Sequence, residues 1–204
     1  MNFIVTKFGG SSLADSIHFK KVKNIIESNC DRRYVIPSAP GKRFSKDFKV
    51  TDLLYLCHAH VNSSIPLDDV FKLICERYHS IVNELDLSLD LDYYLNIIKN
   101  DIENGASADY TASRGEYLNG IILANYLGID FVDAKDVIKF NKYGTLNLEE
   151  TYKLLQDKLS NHERAVIPGF YGSDENGEIV TFSRGGSDVT GALVAASINA
   201  CLYE

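Results

Sequence analysis

Lys7 stands two residues ahead of a glycine pair in "FIVTKFGGSSLAD", and Arg184 stands directly ahead of a second pair in "SRGGSD". A cation beside glycines is a pattern for holding anions. Glycine admits positive φ and lets backbone N–H groups come close to a ligand. A helix N-terminus adds unpaired N–H groups and a dipole of the same sign. Each turn also carries hydroxyls or a carboxylate: Ser11 and Ser12 after Gly9-Gly10, and Ser187 and Asp188 after Gly185-Gly186. Neither turn fits GxxxxGK[ST] or GxGxxG, which disfavours a P-loop and a dinucleotide fold. Taken alone, the first stretch reads equally well as a tight βα turn with a solvated lysine.

These turns need strands before them and helices after them. Phe3 to Phe8 is a short apolar, β-branched run and predicts a buried strand. Ser12 with Asp15 approximates a capping box. The following helix is expected to place Leu13, Ile17, Val22, Ile25 and Ile26 near one face. Tyr34 to Ile36 reads as a second strand, stopped by Pro-Ser-Ala-Pro-Gly. The region from about 50 to 106 reads as nearly all helix, an insertion between strands. "SRGEYLNGIILANYLG" predicts a further helix stopped at Gly128, "IDFVDA" a strand, and "NLEETYKLLQDKLS" a helix. "RAVIPGFYG" and "EIVTF" predict strands joined as a hairpin through "SDENG". A small-residue helix after "SRGG" is expected to run to the chain end without a stop signal. Strands alternating with helices imply a three-layer αβα sandwich with a mostly parallel sheet, and ligands in such sheets sit at the carboxyl ends of strands.

Composition narrows the function. The 204 residues carry a formal net charge of −7 and are 45% hydrophobic, enough for a real core. An acidic chain is a poor candidate for general nucleic-acid or membrane-surface binding. The four cysteines have no paired spacing, so neither a zinc site nor a disulfide framework is indicated, and reduced, buried thiols in a cytoplasmic protein are expected. No window predicts a signal peptide or a membrane span. His58 and His60 stand two apart and share no helical face, so no metal site is expected there. "DLSLDLD" lacks the glycine and terminal glutamate of a calcium loop. Tyr93 and Tyr94 are expected to pack.

"KFGGSS" resembles the opening motif of aspartate kinases, within the amino-acid kinase family. "VIPSAPGK", "SRGE" at 113–116 and "IPGFYG…GEIVTFSRGGSD" at 167–188 resemble later motifs of that family, in the same order. The resemblance implies the amino-acid kinase fold and transfer of the γ-phosphoryl group of MgATP to the β-carboxylate of L-aspartate. That is the first step towards lysine, threonine and methionine, with Mg2+ held through the ATP phosphates. It implies that residues 1–204 form the amino-terminal, amino-acid-binding lobe. The nucleotide lobe and the regulatory domains would lie outside it, in a full-length protein that is a homo-oligomer. An aspartate side chain, with a pKa near ~3.9, arrives ionised and needs no general base. The obstacle is repulsion, about 4 kcal/mol for two like charges ~4 Å apart at an effective dielectric of 20, so positioning and charge neutralisation should dominate.

The resemblance assigns Lys7 to neutralising phosphate charge and Asp188 to orienting Lys7, with Ser187 assisting it. Gly9, Gly10, Ser11, Gly185 and Gly186 would bind phosphate. Ser38 and Thr51 would contact substrate, Glu116 would pair with its ammonium, and Arg184 would clamp a carboxylate. "GKRFSKDFKV", between Ser38 and Thr51, is longer than the family pattern. Each residue has a plainer reading: Glu116 as a solvated helix carboxylate, Arg184 in a surface ion pair, Asp188 as a helix-dipole acid, Thr51 as a helix cap. A non-catalytic module binding a small anion or amino acid, or a kinase of a related carboxylate such as acetylglutamate, are the alternatives.

Overall fold

The first strand begins at Ile4 because Val5, Thr6 and Phe8 are buried there, while Lys7 alone in the run stays partly open. The computed structural model describes residues 2–183 and 185–204. In chain order the elements are β1 (Ile4–Phe8), a single 3-10 turn (Gly10–Leu13), α1 (Ser16–Glu27), β2 (Arg32–Pro37), α2 (Val50–Asn62), α3 (Asp68–Glu84), α4 (Leu91–Glu103) and α5 (Ala108–Leu127). Then follow β3 (Asp130–Phe131), α6 (Ala134–Val137), α7 (Leu148–Leu159), β4 (Ala165–Val166), β5 (Tyr171–Ser173), β6 (Ile179–Thr181), α8 (Gly186–Ser197) and β7 (Leu202–Tyr203).

Five strands form one sheet in the order β3-β4-β2-β1-β7, with every pair parallel. β5 and β6 form a separate antiparallel hairpin. Successive residues of β2 face opposite layers, as strand geometry requires. Val35 packs with the helices α1 to α5, whereas Tyr34 and Ile36 pack with α7 and α8. The result is the αβα sandwich expected from the alternating elements. Phe8 pairs with Pro37 at the carboxyl ends of β1 and β2, so the turns after the two strands leave the sheet side by side.

Several local expectations fail, each for a physical reason. Ser12 and Asp15 do not form a capping box. Ser11 and Ser12 lie in the 3-10 turn, and Asp15 is itself the cap of α1, accepting from the His18 amide at 2.9 Å. The buried face of α1 is therefore Phe19, Val22 and Ile26, while Ile17 and Ile25 point outward. The last helix does not run to the chain end. It stops at Ser197, Asn199 takes φ +51°, and Leu202–Tyr203 joins β1 as an edge strand. Asparagine tolerates that left-handed geometry at a helix end better than most residues. The four cysteines are all free, but Cys30 and Cys201 are exposed rather than buried. Tyr93 is exposed too, though its ring still packs edge-on against Tyr94 at 5.3 Å, while Tyr94 joins the core. Among the described residues, no helix is long and apolar enough to cross a membrane.

Candidate active site

The carboxyl edge of β1 and β2 brings the first glycine turn against the second strand's turn. Gly10 has an ordinary backbone, so freedom of φ is not its purpose. A Cβ at Gly10 would lie 2.8 Å from the Ala39 carbonyl oxygen and 3.1 Å from the Gly41 nitrogen. The Gly41 amide donates to the Gly10 carbonyl at 2.8 Å, and the Ser38 amide to that of Phe8 at 3.0 Å. The two turns are joined main chain to main chain, with no room for a side chain at the junction.

The second glycine turn reaches the same edge. Gly185 adopts φ +59° as the N-cap of α8. Asp188, in the first turn of that helix, meets Lys7 Nζ at 2.8 Å, with the two side chains 63% and 22% exposed. Arg184 lies outside the described residues. Gly186 is packed against Phe170 and Phe182, where a Cβ would come within 2.8 to 2.9 Å of both. Ser187 is buried against Gly169. Gly185, Gly186 and Ser187 therefore shape the turn, and none of them lines the cavity described next.

That cavity, of about 430 Å³, opens beside the glycine junction and is lined by Gly10, Ser11, Ser38, Thr51, Lys42 and Glu116, among others. Thr51 is the second residue of α2 and not its cap, which is Lys49. Glu116 comes from the middle of α5 and is buried. Gly115 allows that approach: a Cβ there would sit 2.8 Å from the Ala39 Cβ. Asn119, one turn further along, donates to the Ser38 carbonyl at 2.6 Å and holds the β2 turn in place.

Glu116 is the electrostatic oddity of the site. Burial pushes its carboxyl up to about 7, against hydrogen bonds from the Ala39 amide and its own amide and the Arg114 charge, which act to lower it. Its Oε2 has no hydrogen-bond partner among the described residues. A buried carboxylate facing a cavity with unfilled lone pairs can accept a cationic group from a ligand.

A larger cavity, of about 590 Å³, lies at the opposite end of the sheet, where Phe3, Arg33 and Glu163 precede or begin their strands. It holds none of the candidate site residues read from the sequence. Ligands of open α/β sheets bind at the carboxyl ends, which favours the smaller cavity.

Sequence reasoning overlooked three contributors. Lys42 and Lys49 line the smaller cavity; Lys42 stands inside "VIPSAPGK", so its place in the turn was readable. Asp47, within the long segment before Thr51, is buried between two arginines. Arg77 of α3 meets it at 2.5 Å and Arg43 at 2.8 Å. Arg77 also donates to the Gly41 carbonyl at 2.7 Å, so this node anchors the loop that carries the cavity's rim. The arginine partners, Arg43 before Arg77 in strength, hold the Asp47 carboxyl well below the usual carboxylate range against the opposing cost of burial.

Fold and site together define a class. Residues 2–204 match the model of the amino acid kinase family, and the chain belongs to that family. Its relatives narrow the field to aspartate kinases. The chain is 60% identical to the aspartate kinase of Clostridium acetobutylicum and superposes on its crystal structure with a TM-score of 0.97, covering 100% of this chain and 47% of that one. It is 35% identical over 214 residues to Aspartokinase 3 of Bacillus subtilis (strain 168), covering 98% of this chain and 47% of the relative. Aspartokinase III of E. coli, in a crystal structure with aspartate and ADP, shares the fold at 22% identity and a TM-score of 0.80 over 99% of this chain and 48% of that one. The chain thus spans about half the length of the relatives it matches.

Proposed function

We propose that this chain is the amino-acid-binding lobe of an aspartate kinase, which transfers the γ-phosphoryl group of ATP to the β-carboxylate of L-aspartate. The observation that carries this reading is the meeting of two glycine turns on one sheet edge. The Lys7–Asp188 ion pair links them, beside a cavity floored by the unpaired Glu116.

The residues divide the work by chemistry. Glu116 receives the α-ammonium of aspartate and ionises as it does so. Ser38 and Thr51 offer hydroxyls from the cavity rim, and Arg184 clamps a substrate carboxylate in the forked geometry that suits guanidinium. Lys7 neutralises phosphate oxygens where charge concentrates in the transition state. The ion pair with Asp188 fixes the Lys7 ammonium in place, and Ser187 supports that helix turn. Gly9, Gly10, Ser11, Gly185 and Gly186 present the phosphate-binding backbone. ATP, carrying Mg2+ on its phosphates, supplies the phosphoryl group and further positive charge. A lysine ammonium beside glycine amides suits phosphate. Among the described residues no three His, Cys, Asp or Glu side chains cluster to ligate a metal directly.

The test is aspartate-dependent ADP formation by the full-length polypeptide. Lys7→Met should lower kcat by at least about 100-fold with a modest change in the KM for aspartate, while Glu116→Gln should act mainly on that KM. ADP formation indifferent to aspartate, or a Glu116→Gln variant that binds aspartate normally, would overturn the reading.

A further inference from the structure

Arg114 and Arg77 are both buried arginines, and their surroundings differ. Arg77 spends its donors on Asp47 and on the carbonyls of Gly41, Phe48 and Ala14. Arg114, 5% exposed, has no ion pair among the described residues. Its Nε and Nη2 both donate to the neighbouring Ser113 Oγ, at 3.1 and 2.9 Å. Its Nη1 has no acceptor among the described residues. Around it stand aromatic faces: the guanidinium carbon lies 4.4 Å from the Tyr117 ring centroid, 4.5 Å from that of Tyr110 and 5.4 Å from that of Tyr171. Ring faces attract a cation but provide no lone pairs for its N–H groups.

Asp101 and Asp133, two carboxylates nearby, are already engaged. The Tyr110 hydroxyl bonds to Asp101. Asp133 accepts from the Tyr171 hydroxyl at 2.7 Å and from the Lys135 amide at 3.1 Å, with Lys135 Nζ at 3.9 Å. The Tyr110 and Tyr171 hydroxyls thus occupy acids while their rings face the guanidinium.

Arg114 lines a cavity of about 550 Å³ between α4 and α5, with Tyr93, Tyr94, Tyr110, Tyr117 and Lys135 in its wall, together with Asp101, whose carboxylate takes the Tyr110 hydroxyl. We propose that this cavity is a second ligand site, distinct from the one at Glu116, that takes a small aromatic carboxylate. Its carboxylate bonds Arg114 Nη1 and the Lys135 ammonium, and its ring packs among the tyrosines. A buried guanidinium with a spare donor suits a planar anion, and edge-on aromatic packing suits a flat apolar body. The cavity lies within the usual size range for small-molecule sites.

The probe is phenylacetate, titrated into the full chain by calorimetry and by saturation-transfer NMR. Saturable binding below ~10 mM is expected, with the neutral isostere phenylacetamide at least about tenfold weaker. Lys135→Ala, a change at an exposed side chain, should weaken phenylacetate several-fold, and Arg114→Met should abolish its binding. Saturating L-aspartate should leave phenylacetate binding unchanged, which separates this site from the acceptor cavity. Equal affinity for acid and amide, insensitivity to Lys135→Ala, or displacement by aspartate would overturn the proposal. If Arg114→Met fails to fold, the amide comparison and Lys135→Ala still decide it.

Discussion

Two buried carboxylates flank the turn after β2, and they are opposites. Asp47 is enclosed by two guanidinium groups and held in its ionised form. Glu116 is enclosed by apolar packing and backbone, keeps one oxygen without a partner, and is pushed up to about 7. Asp47 sits in the loop after β2 and Glu116 in the middle of α5, yet both are equally buried, so depth in the protein does not separate them. Partners do. A carboxylate whose lone pairs are filled by the fold belongs to the fold. One left short of a cation can accept one from a ligand, and under the proposed function that cation is the ammonium of the substrate.

The comparison breaks most visibly at Arg77. Replacing it with Met leaves Asp47 buried with only the half-exposed Arg43, and should cost about 3 to 5 kcal/mol of stability in urea denaturation. A cost under about 1 kcal/mol would mean that Asp47 is no more anchored than Glu116.

Glu116→Gln should move stability the other way. The folded-state value of Glu116 lies above its ordinary 4.5. The contribution of its proton is therefore fully present below about 4.5 and lost as pH rises through about 7. Glutamine cannot ionise, so at pH 8 the variant should be more stable than the parent by up to about 3 kcal/mol, with the gain vanishing near pH 4.5. Asp47 has the reverse sign. Its stabilisation is present above its ordinary 3.8 and fades as pH falls towards its depressed folded value, so Asp47→Asn should flatten the acid limb of the stability curve.

A third measurement sharpens the functional side. If the ammonium of aspartate binds ionised Glu116, affinity should rise about tenfold between pH 6 and pH 8, with proton release on the acid side. The rise should be absent in Glu116→Gln, and a flat profile in the parent protein would remove Glu116 from the acceptor site. The smallest stability effect belongs to Asp188, the exposed carboxylate at Lys7. Asp188→Asn should change stability by under about 1 kcal/mol while lowering kcat, as the proposed role of aiming the Lys7 ammonium requires. A large stability loss there would make it another Asp47.

The elements that could be read from sequence are those with a period or a stop. β1 and β2, the three helices from Val50 to Glu103, the hairpin through Asp174 and Gly177, and the halt of α5 at Gly128 all follow from apolar spacing and glycine. The two glycine turns do meet, but not as two ends of one parallel sheet: the second follows β6 of the separate antiparallel hairpin, and the Lys7–Asp188 contact brings it to the sheet edge. Contacts between segments far apart in the chain could not be read. Arg77 looks like any charged helix residue until Asp47, 30 positions earlier, is folded beneath it. Gly115 and Gly10 look like flexible positions, yet each is small because another segment presses against it. The start of α1 was misplaced because Ser12 and Asp15 both have cap chemistry, and the intervening 3-10 turn selects the second. The two-residue strand at Leu202 has too little pattern to announce itself.

At the Gly10–Gly41 junction, bare peptide groups touch without any side chain as intermediary. The spacing between the first glycine turn and the β2 turn is thereby set at this point by main-chain contact, as a gauge block sets a caliper. Drift through ordinary mutation can reshape the rim at Ser38, Thr51 or Lys42 and, under the proposed function, retune which acid is accepted, while that spacing stays put. Anyone redirecting this scaffold to a new acceptor should work on the rim and leave those two glycines untouched.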